Sequence, residues 1–204
     1  MIATLRESTA QIHRDLETQF GSFTAIRTPA AYARLLTSYR DLYAELYSLF
    51  PNDPATEASA LSWQHDLSER LTALELDLCH LPSVRTPTNP PTPVADSPAP
   101  LLDSPAHQAG CLYVVEGSAL GGLMLARNFA AQIPGLSPDA LRFFSGSGPA
   151  AASARWRAFM AWLEHQPWTT AETTAAAASA VATFAFFSSR LHSAAWPERD
   201  PPTA

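Results

Sequence analysis

YVVEGSALGG, residues 113–122, is the stretch that decides the fold of this chain. It places three of the eight glycines, Gly117, Gly121 and Gly122, inside an otherwise apolar helical segment. Glycine in a helix interior costs about 0.5–1 kcal/mol relative to alanine. The spacing i, i+4, i+5 puts the three glycines on one helix face. The segment therefore predicts a long buried helix that bends, or that lets another body approach its backbone closely.

Two interpretations of this glycine face follow from the residues alone. Small residues four apart let a neighbouring helix pack closely, and a flat ligand would use the same absence of Cβ atoms. The opening helix adds a second observation. There, His13 lies beside an apolar stripe that runs from Leu5 to Phe20, and Glu17 follows His13 one turn later.

His13 and Glu17 have the spacing of a histidine whose ring is held by a carboxylate. Metal-binding histidines commonly have their second ring nitrogen fixed by such a group. The chain has no HxxxH, CxxC or HExxH pattern, so a metal with several protein ligands is not predicted. One histidine suffices when the metal arrives with its other ligands, as iron does in haem. A histidine beside an apolar stripe is also common as a packed boundary residue, and both interpretations stay open at this point.

The composition is that of a folded, acidic protein. A chain of 204 residues suits one domain, and 47% hydrophobic with only 16% charged residues indicates much buried surface. The net charge of -6 argues against a nucleic-acid-binding surface. All 13 basic residues are arginine, so an anionic ligand must be anchored by arginine, by polar groups or by a helix N-terminus.

Three features predict a cytoplasmic protein that does not bind membranes. Cys79 and Cys111 are too few for a disulfide framework. The N-terminus lacks the apolar core of a signal peptide. The longest apolar run, residues 175–187, is too short to cross a bilayer.

Helix starts are predicted from capping residues. Thr4 with Glu7 and Thr169 with Glu172 have the spacing of capping boxes. A cap residue directly before a proline at the first helical position occurs three times. These three pairs are Thr28-Pro29, Ser104-Pro105 and Ser137-Pro138.

The sequence predicts an all-α fold, because it contains no hairpin signal, no sustained two-residue alternation and no internal repeat. Glycine and proline clusters between the apolar segments set the helix ends. The expected helices cover residues 4–20, 29–50, 57–80, 105–132, 138–144, 149–166 and 170–195.

A proline-rich segment separates the third and fourth predicted helices. The stretch from Leu81 to Pro105 holds eight of the 18 prolines, which predicts an irregular or polyproline-like connector over residues 81–104. A linker between two domains is the alternative, but the two halves are poorly matched to separate cores. We therefore expect a single domain over residues 1–204, with residues 197–204 as a flexible tail.

Taken together, the two motifs resemble the haem oxygenases, in particular the bacterial biliverdin-forming type found with bacteriophytochromes. Residues 5–17, LRESTAQIHRDLE, are similar to the family's proximal helix, LxxAT followed by His and Glu. Residues 112–122, LYVVEGSALGG, are similar to its distal helix, YVxEGSxLGG. Weaker similarities lie in the aromatic segment 32–43 and in residues 142–144, 156–159 and 183–184.

This resemblance implies an all-α, single-domain bundle with haem between an N-terminal proximal helix and a kinked, glycine-rich distal helix. His13 would ligate the iron, supported by Glu17. Gly117 and Gly121 would let haem and O2 approach the distal backbone, and Ser118 would hold water where the mammalian pattern has an aspartate. The other implied haem-binding residues are Arg6 and, more weakly, Arg155 at the propionates, together with Tyr113, Gly122 and Phe184.

The implied reaction is the cleavage of haem by O2 and external electrons to biliverdin, CO and ferrous iron. A ferredoxin or another reductase would supply the electrons, and a bacteriophytochrome would receive the biliverdin. One alternative is a haem-binding carrier or sensor that does not degrade haem. Another is a helical protein with a different small ligand, such as a thiaminase-like enzyme, or an interaction module. The pairing of His13 and Glu17 with the full glycine motif disfavours this last group, whereas a carrier or sensor shares both motifs.

Overall fold

The described part of the chain folds into α-helices. The computed structural model describes residues 1–20, 23, 25–50, 57–82 and 97–192, without the side chains of residues 17, 19, 20, 57–66 and 192. No strand occurs in these ranges, which confirms the all-α prediction. The helices are α1 (Ile2–Phe20), α2 (Pro29–Ser48), α3 (Glu57–Cys79), α4 (Pro105–Gln132), a 3₁₀ turn (Pro138–Ala140), α5 (Arg142–Ser145), α6 (Pro149–His165) and α7 (Thr170–His192).

The predicted helix boundaries are confirmed to within two residues in most places. The helix expected over residues 138–144 is instead divided, because Leu141 leaves the helical conformation between the 3₁₀ turn and α5 (φ -119°, ψ 9°). Most of the predicted connector and all of the predicted tail lie outside the described residues. The single-domain assignment stays a prediction.

The three proline-linked caps are confirmed. The side-chain oxygen of Thr28 accepts a hydrogen bond from the Ala31 N–H at 3.1 Å, and that of Ser104 accepts one from the His107 N–H at 3.3 Å. Ser137 caps the 3₁₀ turn in the same way. Each cap satisfies a backbone donor that a helix start leaves without an intrahelical partner.

Of the two predicted capping boxes, one is confirmed and one is wrong. The Glu172 N–H donates to Thr169 Oγ1 at 3.2 Å, and the Thr169 N–H donates back to Glu172 Oε2 at 2.8 Å. These bonds lower the pKa of Glu172. Thr4 caps nothing, because α1 begins at Ile2 and Thr4 is already helical.

The central helix is α4, which packs against α5, α6 and α7. Its closest contact is at Gly110, where a Cβ atom would lie 2.0 Å from the carbonyl oxygen of Ala176 in α7. No side chain fits at that distance, so α4 and α7 meet backbone to backbone. Since α7 also packs along α1, it connects the first helix to the glycine-rich helix.

By length and composition α4 is apolar enough to cross a membrane, and it is the one such helix among the described residues. Within its apolar window, however, 56% of the residues are buried inside the protein. The core helix of a soluble protein has the same property.

A buried carboxylate fixes the short helix α5. Asp77 in α3 is fully buried and accepts hydrogen bonds from the backbone N–H groups of Arg142, at 3.0 Å, and Phe143, at 2.9 Å. Burial raises the pKa of Asp77, and the two backbone donors oppose that shift. Asp77 thus satisfies orphan donors of a helix that has only four residues.

We predict opposite stability changes for alanine at two glycines of α4. Gly110→Ala should destabilise the apo protein by about 1–3 kcal/mol, the usual cost of overpacking, because Ala176 leaves no room for a methyl group. Gly121→Ala should stabilise it by up to about 1 kcal/mol through helix propensity, since nothing lies within 4 Å of that Cβ position. Urea unfolding followed by circular dichroism measures both changes. Equal effects at the two positions would contradict this account of the α4–α7 contact.

Candidate ligand-binding site

A cavity of about 690 Å³ lies among the helices. This volume is within the range of about 300–1,000 Å³ that is typical of small-molecule sites. Each of the seven described helices contributes at least one lining residue. Aliphatic and aromatic side chains form much of the wall, with a few polar groups among them. The cavity therefore suits a largely apolar ligand that carries a small number of polar or charged groups.

Eight of the ten residues predicted to form a site line this cavity. They come from α1, α4 and α7, so helices far apart in the sequence meet around one space. The eight are Arg6, His13, Tyr113, Gly117, Ser118, Gly121, Gly122 and Phe184.

His13 lies on the exposed side of α1, where its imidazole borders the cavity. The His13 ring meets the ring of Phe184 edge to face, with centroids 5.5 Å apart and an interplanar angle of 84°. Phe184 is itself buried, so it gives the imidazole a fixed surface to pack against. The side chain of Glu17 lies outside the described residues, and its pairing with His13 stays a prediction.

The three motif glycines have different surroundings. A Cβ at Gly122 would lie 3.2 Å from the Phe144 carbonyl oxygen, and one at Gly117 would lie 3.6 Å from the Trp156 ring. A Cβ at Gly121 would meet nothing within 4 Å. Close packing therefore explains Gly122, whereas Gly121 leaves open space along the cavity. The helix assignment of α4 continues through all three, and the kink stays a prediction.

Ser118 directs its hydroxyl hydrogen to its own helix. Its Oγ donates to the Val115 carbonyl at 2.7 Å, which leaves the oxygen lone pairs as its remaining hydrogen-bonding capacity. Ser118 also borders the cavity. In this conformation it can accept a hydrogen bond from a molecule in the cavity but cannot donate one.

Arg155 is bound to a buried carboxylate and is not among the residues that line the cavity, and its role as a propionate anchor stays a prediction. Its Nε and one terminal nitrogen donate to the two oxygens of Glu116, at 2.5 and 3.0 Å. The Glu116 side chain is only 1% exposed. This bidentate pair ties α6 to α4 just before Gly117, and such pairs are the strong form of the charge-assisted hydrogen bond.

Sequence analysis missed one charged residue at the cavity. Arg70 in α3 borders it with a side chain that is 16% exposed. Its guanidinium lies 3.7 Å from Glu116 and 5.9 Å from the centroid of the Tyr43 ring. Arg70 lies on the same helical stripe as Leu67 and Leu74, both fully buried. A charged residue within an apolar stripe is the signal that would have identified it.

These features define a helical protein with one histidine and a bare glycine backbone at the wall of a largely apolar cavity. The heme oxygenase family model matches residues 1–193, and the chain belongs to the haem oxygenase family. It is similar to a heme oxygenase of Xanthomonas campestris pv. campestris (strain 8004), with 39% identity over 105 residues. That match covers 52% of this chain and 62% of the relative, less than two thirds of its length. The proposed link to the phytochrome-associated type stays a prediction.

Proposed function

We propose that this protein is a haem oxygenase that binds haem through His13 and cleaves the macrocycle with O2 and external electrons, giving biliverdin, CO and ferrous iron. The observation that carries the proposal is that His13 of α1 and the open backbone at Gly121 of α4 border the same cavity. A histidine at one wall and a face without side chains at another suit a flat ring that carries a metal.

The cavity walls fit such a ring. Phe184 and Phe187 of α7 and Phe143 of α5 supply aromatic surface. Aromatic side chains bury large apolar areas and stack on flat partners. Bound haem would supply both the iron that activates O2 and the ring that is oxidised.

The polar groups have separate roles. His13 would hold the iron through a ring nitrogen, and its contact with Phe184 orients the imidazole. Arg6, one of the exposed residues at the cavity, is placed to bind a ligand carboxylate. No carboxylate of the described side chains forms an ion pair with Arg6, so its charge is available for this role.

Ser118 is our candidate for ordering water beside the reacting ring. Because its hydrogen is donated to Val115, its oxygen accepts from a water molecule, and the second hydrogen of that water can point into the cavity. A hydroxyl positions water in this way but exchanges protons less readily than a carboxylate. The apolar wall keeps the number of such water molecules small.

The proposed reaction needs electrons from an external donor. We propose a ferredoxin or another reductase as the donor, a cytoplasmic location and a bacteriophytochrome as the recipient of the biliverdin. These partners follow from the resemblance to the phytochrome-associated haem oxygenases.

Haem loading followed by reduction tests the function directly. We expect haemin to bind the protein at equimolar concentration and to give the Soret band of a haem–protein complex. That band should be lost in air when ascorbate or a ferredoxin system is added, while biliverdin absorbance appears. In His13→Ala the Soret band should shift and turnover should fall to background, with partial recovery when imidazole is added.

The exposed His80, which is not among the residues that line the cavity, provides the matched control, and His80→Ala should behave like the wild type. An unchanged spectrum and full activity in His13→Ala would show that His13 does not bind the iron. A Soret band that survives reduction in air would favour the carrier or sensor.

Gly121→Leu should fold but should bind haem more weakly. Nothing lies within 4 Å of the Cβ position, so the side chain enters open cavity space and leaves the helix packing intact. We expect haem affinity to fall roughly tenfold or more, with helicity and melting temperature preserved. Gly121→Ala is the control for the loss of glycine itself. If Gly121→Leu binds and degrades haem at the wild-type rate, the ligand does not use this face.

Ser118→Ala should keep haem affinity and slow ring oxidation. Loss of one neutral hydrogen bond costs about 0.5–1.5 kcal/mol, and about 1.4 kcal/mol is tenfold in rate. We therefore expect a several-fold to roughly tenfold decrease in single-turnover experiments with equimolar haem. Ser118→Thr retains the hydroxyl and should stay near the wild-type rate. An undiminished rate in Ser118→Ala would assign water positioning to another group.

A further inference from the structure

Three polar side chains from α2 and α3 face the cavity with unused hydrogen-bonding capacity. Arg70, Tyr39 and Tyr43 all line it. None of the three donates a side-chain hydrogen bond to any residue in the part of the chain that the structure describes. The one described carboxylate in ion-pair range of Arg70, that of Glu116, is at 3.7 Å, beyond hydrogen-bond distance.

Among the described side chains, the charges around Arg70 do not balance. Glu116 is already neutralised by Arg155, which binds both of its oxygens. Arg70 therefore adds one positive charge to this cluster, on a side chain that is only 16% exposed. Charges withdrawn from water are normally paired. An anion in the cavity would complete the pairing.

Both tyrosines line the same cavity. Tyr39 is 6% and Tyr43 is 1% exposed. Among the described residues no buried side-chain oxygen or nitrogen lacks a hydrogen-bond partner, so these unbonded hydroxyls keep some accessible surface. The cavity that both residues line is the adjoining open space. Burial, and to a lesser extent the neighbouring Tyr43, raise the pKa of Tyr39. Its hydroxyl therefore stays protonated at neutral pH and can act as a donor.

We propose that Arg70, Tyr39 and Tyr43 form a carboxylate-binding subsite within the cavity. A guanidinium and two hydroxyl donors match the several acceptor positions of a carboxylate, which arginine binds in a two-pronged manner. The carboxylate can belong to a free small acid or to a carboxylate substituent of the haem ring. Only the second source rests on the proposed haem-binding function.

Formate tests the subsite in the apo protein. We expect ¹³C-formate, titrated at constant ionic strength and followed by NMR, to bind saturably. Affinity should fall roughly tenfold or more in Arg70→Gln, the loss of a charge-assisted pair. It should fall less in Tyr43→Phe, which keeps the aromatic ring. Arg157→Gln, at an exposed arginine that is not among the cavity-lining residues, should match the wild type.

A second experiment shows which of the two molecules carries the bound carboxylate. Haem is compared with its dimethyl ester, which lacks both negative charges, and the ratio of their affinities is measured in the wild type and in Arg70→Gln. If the ratio of haem affinity to ester affinity falls toward one in Arg70→Gln, the subsite binds a carboxylate substituent of the haem ring. Formate binding that depends on Arg70, with an unchanged ratio, assigns it to a free small acid.

The proposal is overturned if Arg70→Gln changes neither formate binding nor the haem-to-ester ratio. It is also overturned if the wild type shows no saturable formate binding and no preference for the acid over the ester. If the wild type binds no haem at all, the proposed function fails, and the formate titration alone decides the subsite. Circular dichroism and urea unfolding establish that each variant is folded.

Discussion

The rest of the structure depends on the backbone contact between α4 and α7. At Gly110 the two helices are so close that even a methyl group would overlap the Ala176 carbonyl. This contact places α7 along α4, and α7 in turn carries α1. Phe184 of α7 therefore lines the cavity and contacts the ring of His13, which α1 places at the same cavity. The distance between two backbones thus determines where an imidazole lies.

A second constraint is electrostatic and acts at the start of the glycine segment. Glu116 is buried beside Gly117, and its carboxylate is shared between Arg155 of α6 and, more distantly, Arg70 of α3. Removing one partner of a buried charge pair is costly because the other charge is left without compensation. Glycine stabilises a helix less than alanine does, and this ion pair holds the glycine segment at its N-terminal end. Packing against Trp156 and Phe144 fixes the same segment further along.

Most of the fold could be predicted because proline, glycine and capping residues mark the helix ends locally. Thr4 was misleading, since a capping box is only a spacing and the chain had already become helical at Ile2. Gly110 gave no signal because one glycine in an apolar helix has no pattern of its own. Its importance comes from α7, which lies far away in sequence.

Candidate site residues that belong to a local sequence motif, such as His13 and Gly121, could be predicted. Those whose role depends on contacts with other helices could not. Arg155 and Arg70 are both arginines on helices, and nothing in their immediate sequence shows which one has a carboxylate of its own. That difference arises only when α3, α4 and α6 come together around Glu116. Arg70 and Asp77 do interrupt an apolar stripe, so their burial was visible, but their partners were not.

Since every described helix supplies part of the cavity wall, no fragment of the fold contains the site. A ligand that binds there has affinity for the native state and none for the unfolded chain. By mass action its binding then raises the free energy of global unfolding, by about 2.7 kcal/mol when the free ligand concentration is a hundred times Kd. The fraction of protein that holds ligand therefore affects how long the protein survives. An abundant ligand would protect the whole chain from proteolysis, including helices that do not touch the reactive atoms of the ligand.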